Sequence, residues 1–152
     1  MESDHIKIIA SNRKARHEYH ISDEVEAGIV LVGTEVKSIR EGGVNLKDSY
    51  ADIKNGEVFL RQLHISPYKY AYYNNHDALR TRKLLLHRRE INKLTVKINE
   101  RGFTIVPLKI YFKNGKIKVQ LGLAKGKKLY DKRNTIKDRD IKRDMDREKK
   151  NY

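Results

Sequence analysis

Two Asn-Gly dipeptides, Asn55-Gly56 and Asn114-Gly115, constrain the fold more than any other feature of this chain. Both residue types tolerate a positive φ, and a two-residue turn with positive φ at both positions matches the twist of antiparallel strands. After the second turn, apolar residues alternate with polar or small ones from Ile117 to Leu123. A period of two is typical of a strand with one buried and one solvated face. The two dipeptides therefore predict two β-hairpins.

Strand-like segments dominate the rest of the chain. They cover residues 15–21, 25–32, 44–53, 57–65 and 103–112. Pro107 lies within the last segment, which should pair with the strand that follows the second Asn-Gly turn. Because proline cannot donate a hydrogen bond to a neighbouring strand, its position indicates a bulge or an edge strand. Together these segments predict an antiparallel, mainly β domain.

Two helices are predicted between the strands. Residues 33–41 form a short helix, and residues 81–101 form a longer one with Thr81 as its N-cap and Gly102 at its end. Helical spacing places four apolar residues on one stripe of the longer helix: Leu84, Ile91, Leu94 and Ile98. Leu85 lies off this stripe, among basic residues, so it either packs under a loop or contacts RNA.

The charge of the chain limits its partners. The 152 residues carry a net charge of +14, which is typical of proteins that bind nucleic acid or an anionic membrane surface. A membrane-spanning helix needs about 20 apolar residues, and neither such a run nor an apolar signal core occurs. The sequence has no Cys, which excludes disulfides and Cys-based zinc sites. We expect a soluble, cytoplasmic protein with a nucleic-acid partner and no membrane.

The last 28 residues cannot form a core of their own. Residues 125–152 contain 12 Lys and Arg against 6 Asp and Glu. Their few apolar side chains form no helical stripe, so burial cannot offset the entropy of ordering the segment. We expect one domain over residues 1–124, of which residues 1–12 are a partly mobile arm. The basic tail, residues 125–152, should be disordered when free.

Residues 12–19 combine cations with an aromatic ring. The guanidinium groups of Arg13 and Arg16 can bind phosphate and stack on bases, and Lys14 adds a third charge. A solvated strand edge protected by cations would look similar. Both interpretations stay open from residue types alone.

A second basic cluster falls at the predicted start of the longer helix. Arg80, Arg82 and Lys83 would face the positive end of the helix dipole there, so an anion is expected to dock beside them. Glu26 is an acid within a strand of this basic protein. It either pairs with a nearby Arg or accepts hydrogen bonds from base amino groups, which would contribute specificity.

Enzyme motifs are absent from the sequence. His17 and His20 would point to opposite faces of a strand, so they do not form a zinc-binding pair. No phosphate-binding loop, nucleophile elbow or paired-carboxylate motif occurs. We expect a non-enzyme with no cofactor, metal or small-molecule substrate, although an active site assembled from distant residues stays open.

With these residues identified, the chain closely resembles the small protein B (SmpB) family. The resemblance depends on several blocks in order: Asn12-Arg-Lys-Ala-Arg-His-Glu-Tyr19, Glu26-Ala-Gly28, Gly33-Thr-Glu-Val-Lys-Ser-Ile-Arg40, Asp48-Ser-Tyr50, Thr81-Arg-Lys-Leu-Leu-Leu86, Val106-Pro-Leu108, Ala124-Lys-Gly-Lys-Lys128 and Asp131-Lys-Arg133. It implies a six-stranded antiparallel barrel, akin to an oligonucleotide-binding (OB) fold, with flanking helices and a flexible basic tail. It also implies a protein that binds the tRNA-like domain of transfer-messenger RNA (tmRNA) and delivers it to stalled ribosomes for trans-translation.

The resemblance and the basic segments together imply two sets of site residues. The tmRNA-binding set is Asn12, Arg13, Lys14, Arg16, His17, Glu26, Lys37, Arg40, Arg80, Arg82, Lys83 and Leu85. The ribosome-binding set lies in the tail and is Gly126, Lys127, Lys128, Tyr130, Asp131, Lys132 and Arg133. The tail is implied to act in the decoding centre of the small subunit and in the empty mRNA channel, and to become helical there.

A generic single-stranded RNA-binding barrel, such as a translation factor or ribosomal protein, is the alternative. Such proteins stack successive bases on aromatic rings across the sheet. Here four rings cluster instead in one predicted loop: Tyr68, Tyr70, Tyr72 and Tyr73. The position of these rings therefore discriminates between the two functions.

Overall fold

The computed structural model describes residues 5–100 and 102–127. Its strands are β1 (Ile6–Ser11), β2 (Tyr19–Ile29), β3 (Val44–Asn45), β4 (Tyr50–Lys54), β5 (Glu57–Arg61), β6 (His64–Ile65), β7 (Arg82–Leu85), β8 (Phe103–Lys113) and β9 (Lys116–Gly126). Its helices are α1 (Arg13–Glu18), α2 (Gly33–Arg40) and α3 (Arg88–Ile98). None of these helices, within the residues described, has the length and apolarity needed to cross a lipid bilayer.

The antiparallel strands form a closed ring. The large sheet has the order β1-β8-β4-β5-β7-β2-β9, and β9 also pairs with β8. That last pairing closes six strands, β8-β4-β5-β7-β2-β9, while β1 lies outside the ring along the C-terminal half of β8. β3 and β6 form a separate two-stranded sheet. The prediction of a mainly β fold of antiparallel strands with flanking helices is confirmed.

The inside of the ring is a continuous apolar core. It includes Val58, Leu60, Ile105, Val119 and Leu121, each fully buried. The apolar residues of the predicted 117–123 alternation thus face inward or pack against that cluster. Burying this surface is the dominant favourable contribution to folding.

Several local predictions are confirmed. Both Asn-Gly hairpins occur, and all four turn residues have positive φ, between 51° at Asn114 and 80° at Gly115. α2 occupies Gly33–Arg40, as the short helix was predicted to do within one residue. The register between β8 and β9 shifts at Pro107, which is the bulge that its missing N–H indicated.

The N-terminal predictions are wrong in two places. Residues 6–11 are not a mobile arm, because β1 pairs with β8 from Ile6↔Lys113 to Ser11↔Lys109. The strand predicted from residue 15 begins at Tyr19, since α1 precedes it. Asn12 starts this helix by accepting a hydrogen bond from the Ala15 N–H at 3.2 Å.

The predicted helix over residues 81–101 is also wrong in its first third. Residues 82–85 form β7, which pairs with β5 and β2, and α3 begins only at Arg88. The backbone N–H of His87 donates to the Glu90 carboxylate at 3.0 Å and so caps α3. Leu84 is buried because alternate residues of β7 face the core. Leu94 is buried because it lies on the apolar stripe of α3.

Arg82 consequently lies inside the protein, which corrects its predicted place at an exposed helix start. Its guanidinium pairs with the Glu35 carboxylate of α2 at 2.5 Å, and both side chains are fully buried. It also donates to the Leu63 carbonyl oxygen. Arg80 contacts the other Glu35 oxygen at 2.5 Å. These cations bind a carboxylate of the protein itself, so Arg82 is not available for direct contact with RNA.

The pKa of Glu35 reflects this pairing. Burial by itself would raise the pKa, but hydrogen bonds from Arg80, the Val32 N–H and Arg82 outweigh it and hold the pKa below the ordinary value of 4.5. Glu35 therefore stays ionised in the folded protein, and the ion pair holds α2 against β7.

We predict that Glu35→Gln destabilises the protein by about 3–5 kcal/mol at pH 7, because it leaves buried Arg82 without its counter-charge. Urea unfolding measures the loss. Because the folded pKa of Glu35 is depressed, its contribution is present above the unfolded pKa and is lost as pH falls through the folded pKa. The difference between the parent and the variant should thus shrink below about pH 4.

Glu57→Gln is the matched control, since Glu57 forms an exposed pair with Lys83 of the same strand β7 at 3.1 Å. An exposed pair contributes about 0–1 kcal/mol. Equal unfolding midpoints for Glu35→Gln and Glu57→Gln would contradict a structural role for the buried pair.

Candidate nucleic-acid interface

One solvent-facing surface of the ring, which we call the sheet face, is formed by β7, β2, β9 and β8. Residues directly opposite each other in antiparallel strands share a face, and the register aligns Leu85 with Gly28, Gly28 with Lys118, and Lys118 with Tyr111. Alternation along the same strands adds six more residues to the sheet face: Glu24, Glu26, Lys83, Lys109, Lys113 and Gln120. This surface contains three of the predicted site residues, Glu26, Lys83 and Leu85.

Glu26 on β2 is held in place by two side chains of β8, on the far side of β9. The Tyr111 hydroxyl donates to its Oε2 atom at 2.5 Å, and the Lys113 ammonium group lies 3.3 Å from both carboxylate oxygens. The hydrogen bond from Tyr111 is the largest cause of a lowered pKa at Glu26; burial opposes it and Lys113 adds to it. Burial, followed by the bond to Glu26, raises the pKa of Tyr111. Glu26 is therefore an ionised, oriented hydrogen-bond acceptor at neutral pH.

Leu85 lies beside Glu26 in a shallow hollow of about 330 Å³ lined also by Gly28, His87 and Lys118. The Leu85 side chain is 52% exposed. A Cβ atom on Gly28 would lie 3.3 Å from the Leu85 Cβ, so the glycine leaves room for this leucine against the sheet. The hollow brings an apolar side chain, a carboxylate and an ammonium group within reach of one ligand.

Helix α1 extends the sheet face at one end. A second hollow, of about 200 Å³, is lined by Arg13, Arg16, Glu24, Lys109 and other residues. Within it the Arg16 guanidinium pairs with the Glu24 carboxylate at 2.9 Å. The cations predicted at residues 12–19 and the residues around Glu26 are thus parts of one continuous surface.

Asn12 positions α1 rather than presenting its side chain to solvent. Its side-chain amide donates to the Pro107 carbonyl oxygen at 2.9 Å, and its oxygen caps the helix. The backbone N–H donates to the Leu108 carbonyl oxygen at 2.8 Å. Asn12 therefore connects α1 to β8, and its predicted role in binding would be indirect.

The other predicted residues are distributed around the molecule. Lys14 is exposed and lies 3.6 Å from Glu18, and His17 is half-buried in α1. Lys83 is exposed two residues before Leu85 on β7. Lys37 and Arg40 are exposed in the last turn of α2, outside the sheet face.

The predicted tail residues lie mostly outside the described residues. Gly126 is the last residue of β9 and pairs with Tyr19, and the Lys127 N–H donates to the Glu18 carbonyl oxygen at 2.8 Å. Ordered structure therefore continues beyond the predicted limit of the domain at residue 124. Lys128, Tyr130, Asp131, Lys132 and Arg133 fall outside the described part of the chain.

The residues that β8 and β9 contribute to the sheet face were not among the predicted site residues: Lys109, Tyr111, Lys113, Lys118 and Gln120. The signal was present, because the Asn114-Gly115 turn fixes the register of β8 on β9. Counting outward from Lys113↔Lys116 in steps of two places Tyr111 opposite Lys118. Only the pairing of β9 with β2, however, places Tyr111 within reach of Glu26.

Within the described residues, no group of three or more His, Cys, Asp or Glu side chains could hold a metal ion. What the sheet face offers is a set of ammonium and guanidinium groups, the oriented carboxylates of Glu24 and Glu26, and an exposed leucine. Cations of this kind bind phosphates, while a carboxylate accepts hydrogen bonds from base amino groups. The arrangement suits a folded nucleic acid.

Comparisons with known proteins agree on one family. A family model described as "SmpB protein" matches residues 9–151. The SsrA-binding protein of Acetivibrio thermocellus is 61% identical over 147 residues, which cover 97% of this chain and 96% of the relative. The SsrA-binding protein of Syntrophobacter fumaroxidans is 60% identical, covering 95% and 89%, and that of Staphylococcus aureus is 59% identical, covering 93% and 92%.

A solved structure is similar as well. Its description is "tmRNA-SmpB: a journey to the center of the bacterial ribosome", and one of its chains is 51% identical to this one. The two chains superpose with a TM-score of 0.67, over 79% of this chain and 85% of the other.

We predict that Tyr111→Phe raises the pKa of Glu26 toward its ordinary value of 4.5, because the bond to Tyr111 is the largest cause of the lowered pKa. Lys113 and Lys118 remain in the variant, so part of the lowering should persist. A carbon-13 NMR titration of the Glu26 carboxyl group measures the change. Tyr50→Phe, which alters an exposed tyrosine on β4, should leave that titration unchanged. An unaltered Glu26 titration in Tyr111→Phe would refute the orienting role of Tyr111.

Proposed function

The chain belongs to the SmpB family, and from this premise we propose that it binds the tRNA-like domain of tmRNA and delivers it to stalled ribosomes for trans-translation. The observation that carries the proposal is the sheet face, a basic surface with an oriented Glu26 carboxylate beside the exposed Leu85. Relatives named for binding SsrA and a similar chain from a structure of tmRNA-SmpB and the ribosome support it.

The chemistry of the sheet face divides into affinity and specificity. Lys109, Lys113 and Lys118 project from β8 and β9, where they would neutralise phosphates of a folded RNA. Contacts of this kind position the RNA without reading its sequence. Glu26 and Leu85 would supply the specific part, through hydrogen bonds to base amino groups and contact with a ribose or base surface.

The basic tail would act on the ribosome. Its cations match the phosphate-lined decoding centre and the empty mRNA channel, where it would become helical on binding. The protein would act by binding, without catalysis or a cofactor, and in the cytoplasm, where ribosomes stall. Tyr130, between two basic clusters of the tail, would stack on an exposed base there.

A generic single-stranded RNA-binding barrel fits this surface less well. Stacking platforms need exposed rings on the sheet, and Tyr111 on the sheet face is a buried residue, only 4% exposed. Tyr70, Tyr72 and Tyr73 are exposed, but they lie in the connection between β6 and β7. The sheet face therefore favours recognition of a folded RNA by shape, phosphate and a few base contacts.

We predict that the tagged protein, purified from a bacterial lysate, carries one dominant RNA with the length and sequence of tmRNA. Leu85→Asp and Glu26→Ala should each weaken binding of the purified tRNA-like domain by about 1–3 kcal/mol, the usual scale for a specific contact. Gel-shift titration measures the affinity, and thermal melting checks that both variants stay folded.

Val96→Asp is the matched control for Leu85→Asp. Val96 is 64% exposed on α3, and the substitution introduces the same charge away from the sheet face. Equal losses of affinity in the two variants would show that the loss in Leu85→Asp comes from the added negative charge and not from a contact at Leu85. A dominant RNA other than tmRNA in the purified protein would contradict the proposal itself.

The domain and the tail should have separable functions. We predict that truncation after Lys127, which keeps β9 and its bond to Glu18 intact, leaves a cooperatively melting domain with the tmRNA affinity of the full chain. Peptidyl transfer to alanyl-tmRNA on stalled ribosomes should be lost. A truncated protein that no longer binds tmRNA would show that the tail belongs to the tmRNA-binding surface.

A further inference from the structure

The connection between β6 and β7 displays tyrosine rings that the proposed tmRNA contact does not use. In this tyrosine loop, residues 66–81, Tyr72 and Tyr73 are 90% and 86% exposed, and Tyr70 is 59% exposed. Rings of this size contribute favourable free energy when they are buried. Three exposed rings in one short segment therefore indicate a partner that covers them.

The base of the tyrosine loop is fixed to the rest of the protein. The Asn75 side chain bonds to both backbone groups of Tyr68, accepting from its N–H at 3.1 Å and donating to its carbonyl oxygen at 3.0 Å. His76 is buried, with Nε2 donating to the Ile65 carbonyl oxygen at 2.9 Å and Nδ1 bonded to the Thr34 hydroxyl at 2.9 Å. The rings are thus presented from an anchored base, which lowers the entropy cost of binding.

The charges around these rings are mainly positive. The Lys69 ammonium group lies 4.9 Å from the centroid of the Tyr70 ring, and that of Lys37 lies 5.7 Å from the Tyr68 ring. The Asp77 carboxylate accepts a hydrogen bond from the Leu79 N–H within the loop. Exposed rings with adjacent ammonium groups are complementary to nucleobases on a phosphate backbone.

The loop is separate from the sheet face. It leaves the small sheet at β6, is anchored to α2 through Thr34, and returns to the ring at β7. None of its residues lines the hollow at Glu26 and Leu85 or the hollow at Arg13 and Arg16. An RNA domain seated on the sheet face would leave these rings available to another RNA.

We propose that the tyrosine loop is a second RNA-binding surface, which stacks Tyr70, Tyr72 and Tyr73 on unpaired bases of the small-subunit ribosomal RNA. The inference rests on the proposed delivery of tmRNA to ribosomes, and it assigns part of the ribosome contact to the folded domain in addition to the tail. Lys37 and Lys69 would bind the flanking phosphates. Stacking of this kind tolerates different bases and different rings.

A single tryptophan tests the contact directly, because the chain contains none. Tyr72→Trp places one fluorophore at the most exposed ring, and stacking on a base should quench it. The probes are purified small ribosomal subunits, unstructured oligoadenylate and the isolated tRNA-like domain of tmRNA. We expect saturable quenching by the first two and none by the third.

Val96→Trp is the control for indiscriminate attraction of tryptophan to RNA, since Val96 is also exposed but lies on α3. It should not be quenched by small subunits. Quenching of Tyr72→Trp by the tRNA-like domain at the concentration where that domain binds would overturn the proposal, because the loop would then belong to the tmRNA interface. Absence of quenching by small subunits would overturn it too.

Loss-of-ring variants provide the second measurement. Replacing both Tyr72 and Tyr73 by Ala in the full chain should weaken binding to small subunits at least about fivefold, the lower end of the range for one stacked ring. Replacing both by Phe should restore it, and tmRNA affinity should stay within about twofold in both cases. Unchanged binding to small subunits by an alanine variant that still binds tmRNA refutes this inference alone, whereas a parent protein that does not bind tmRNA refutes the proposed function.

Discussion

The buried ion pair between Glu35 and Arg82 connects the parts of this structure that matter for function. Arg82 is in β7, Glu35 is in α2, and Arg82 also bonds to the Leu63 carbonyl oxygen ahead of β6. Two buried charges are tolerated only when their hydrogen-bonding capacity is filled. Arg80 and the Val32 N–H supply the remaining hydrogen bonds to the Glu35 carboxylate. With Arg82 inward, strand alternation turns Leu85 outward, so one buried interaction sets which side of β7 faces a ligand.

The sheet face shows how a basic surface can acquire selectivity. Ammonium groups on β8 and β9 attract any polyanion, and their contribution should weaken as salt rises. An acid in the middle of such a surface would oppose RNA binding unless it accepts hydrogen bonds from the bases. Tyr111 and Lys113 hold Glu26 ionised and oriented, as the proposed role would require. The cost of placing an acid there is thus consistent with discrimination between folded RNAs.

Two RNA-binding surfaces on one small domain would suit a protein that brings one RNA to another. The sheet face lies on β7, β2, β9 and β8, and the tyrosine loop lies between β6 and β7 at α2. β7 takes part in both, because its N-terminal end receives the loop and its C-terminal end carries Leu85. A rigid connection of this kind would keep a bound tmRNA at a constant orientation to the ribosome, while the basic tail would add affinity.

Local sequence determined the two Asn-Gly hairpins, the alternation of β9, the short helix α2 and the bulge at Pro107, because each depends on residues adjacent in the chain. The family blocks also placed Glu26 and Leu85 on one surface. Sequence alone assigned residues 82–85 to a helix, since three leucines between basic residues fit either period. Only pairing with β5 and β2 makes them a strand, and only the partner Glu35, 47 residues away, buries Arg82. The Tyr111–Glu26 bond spans 85 residues and two strands. Contacts between residues so distant in the chain depend on how the ring of strands closes, which no local pattern encodes.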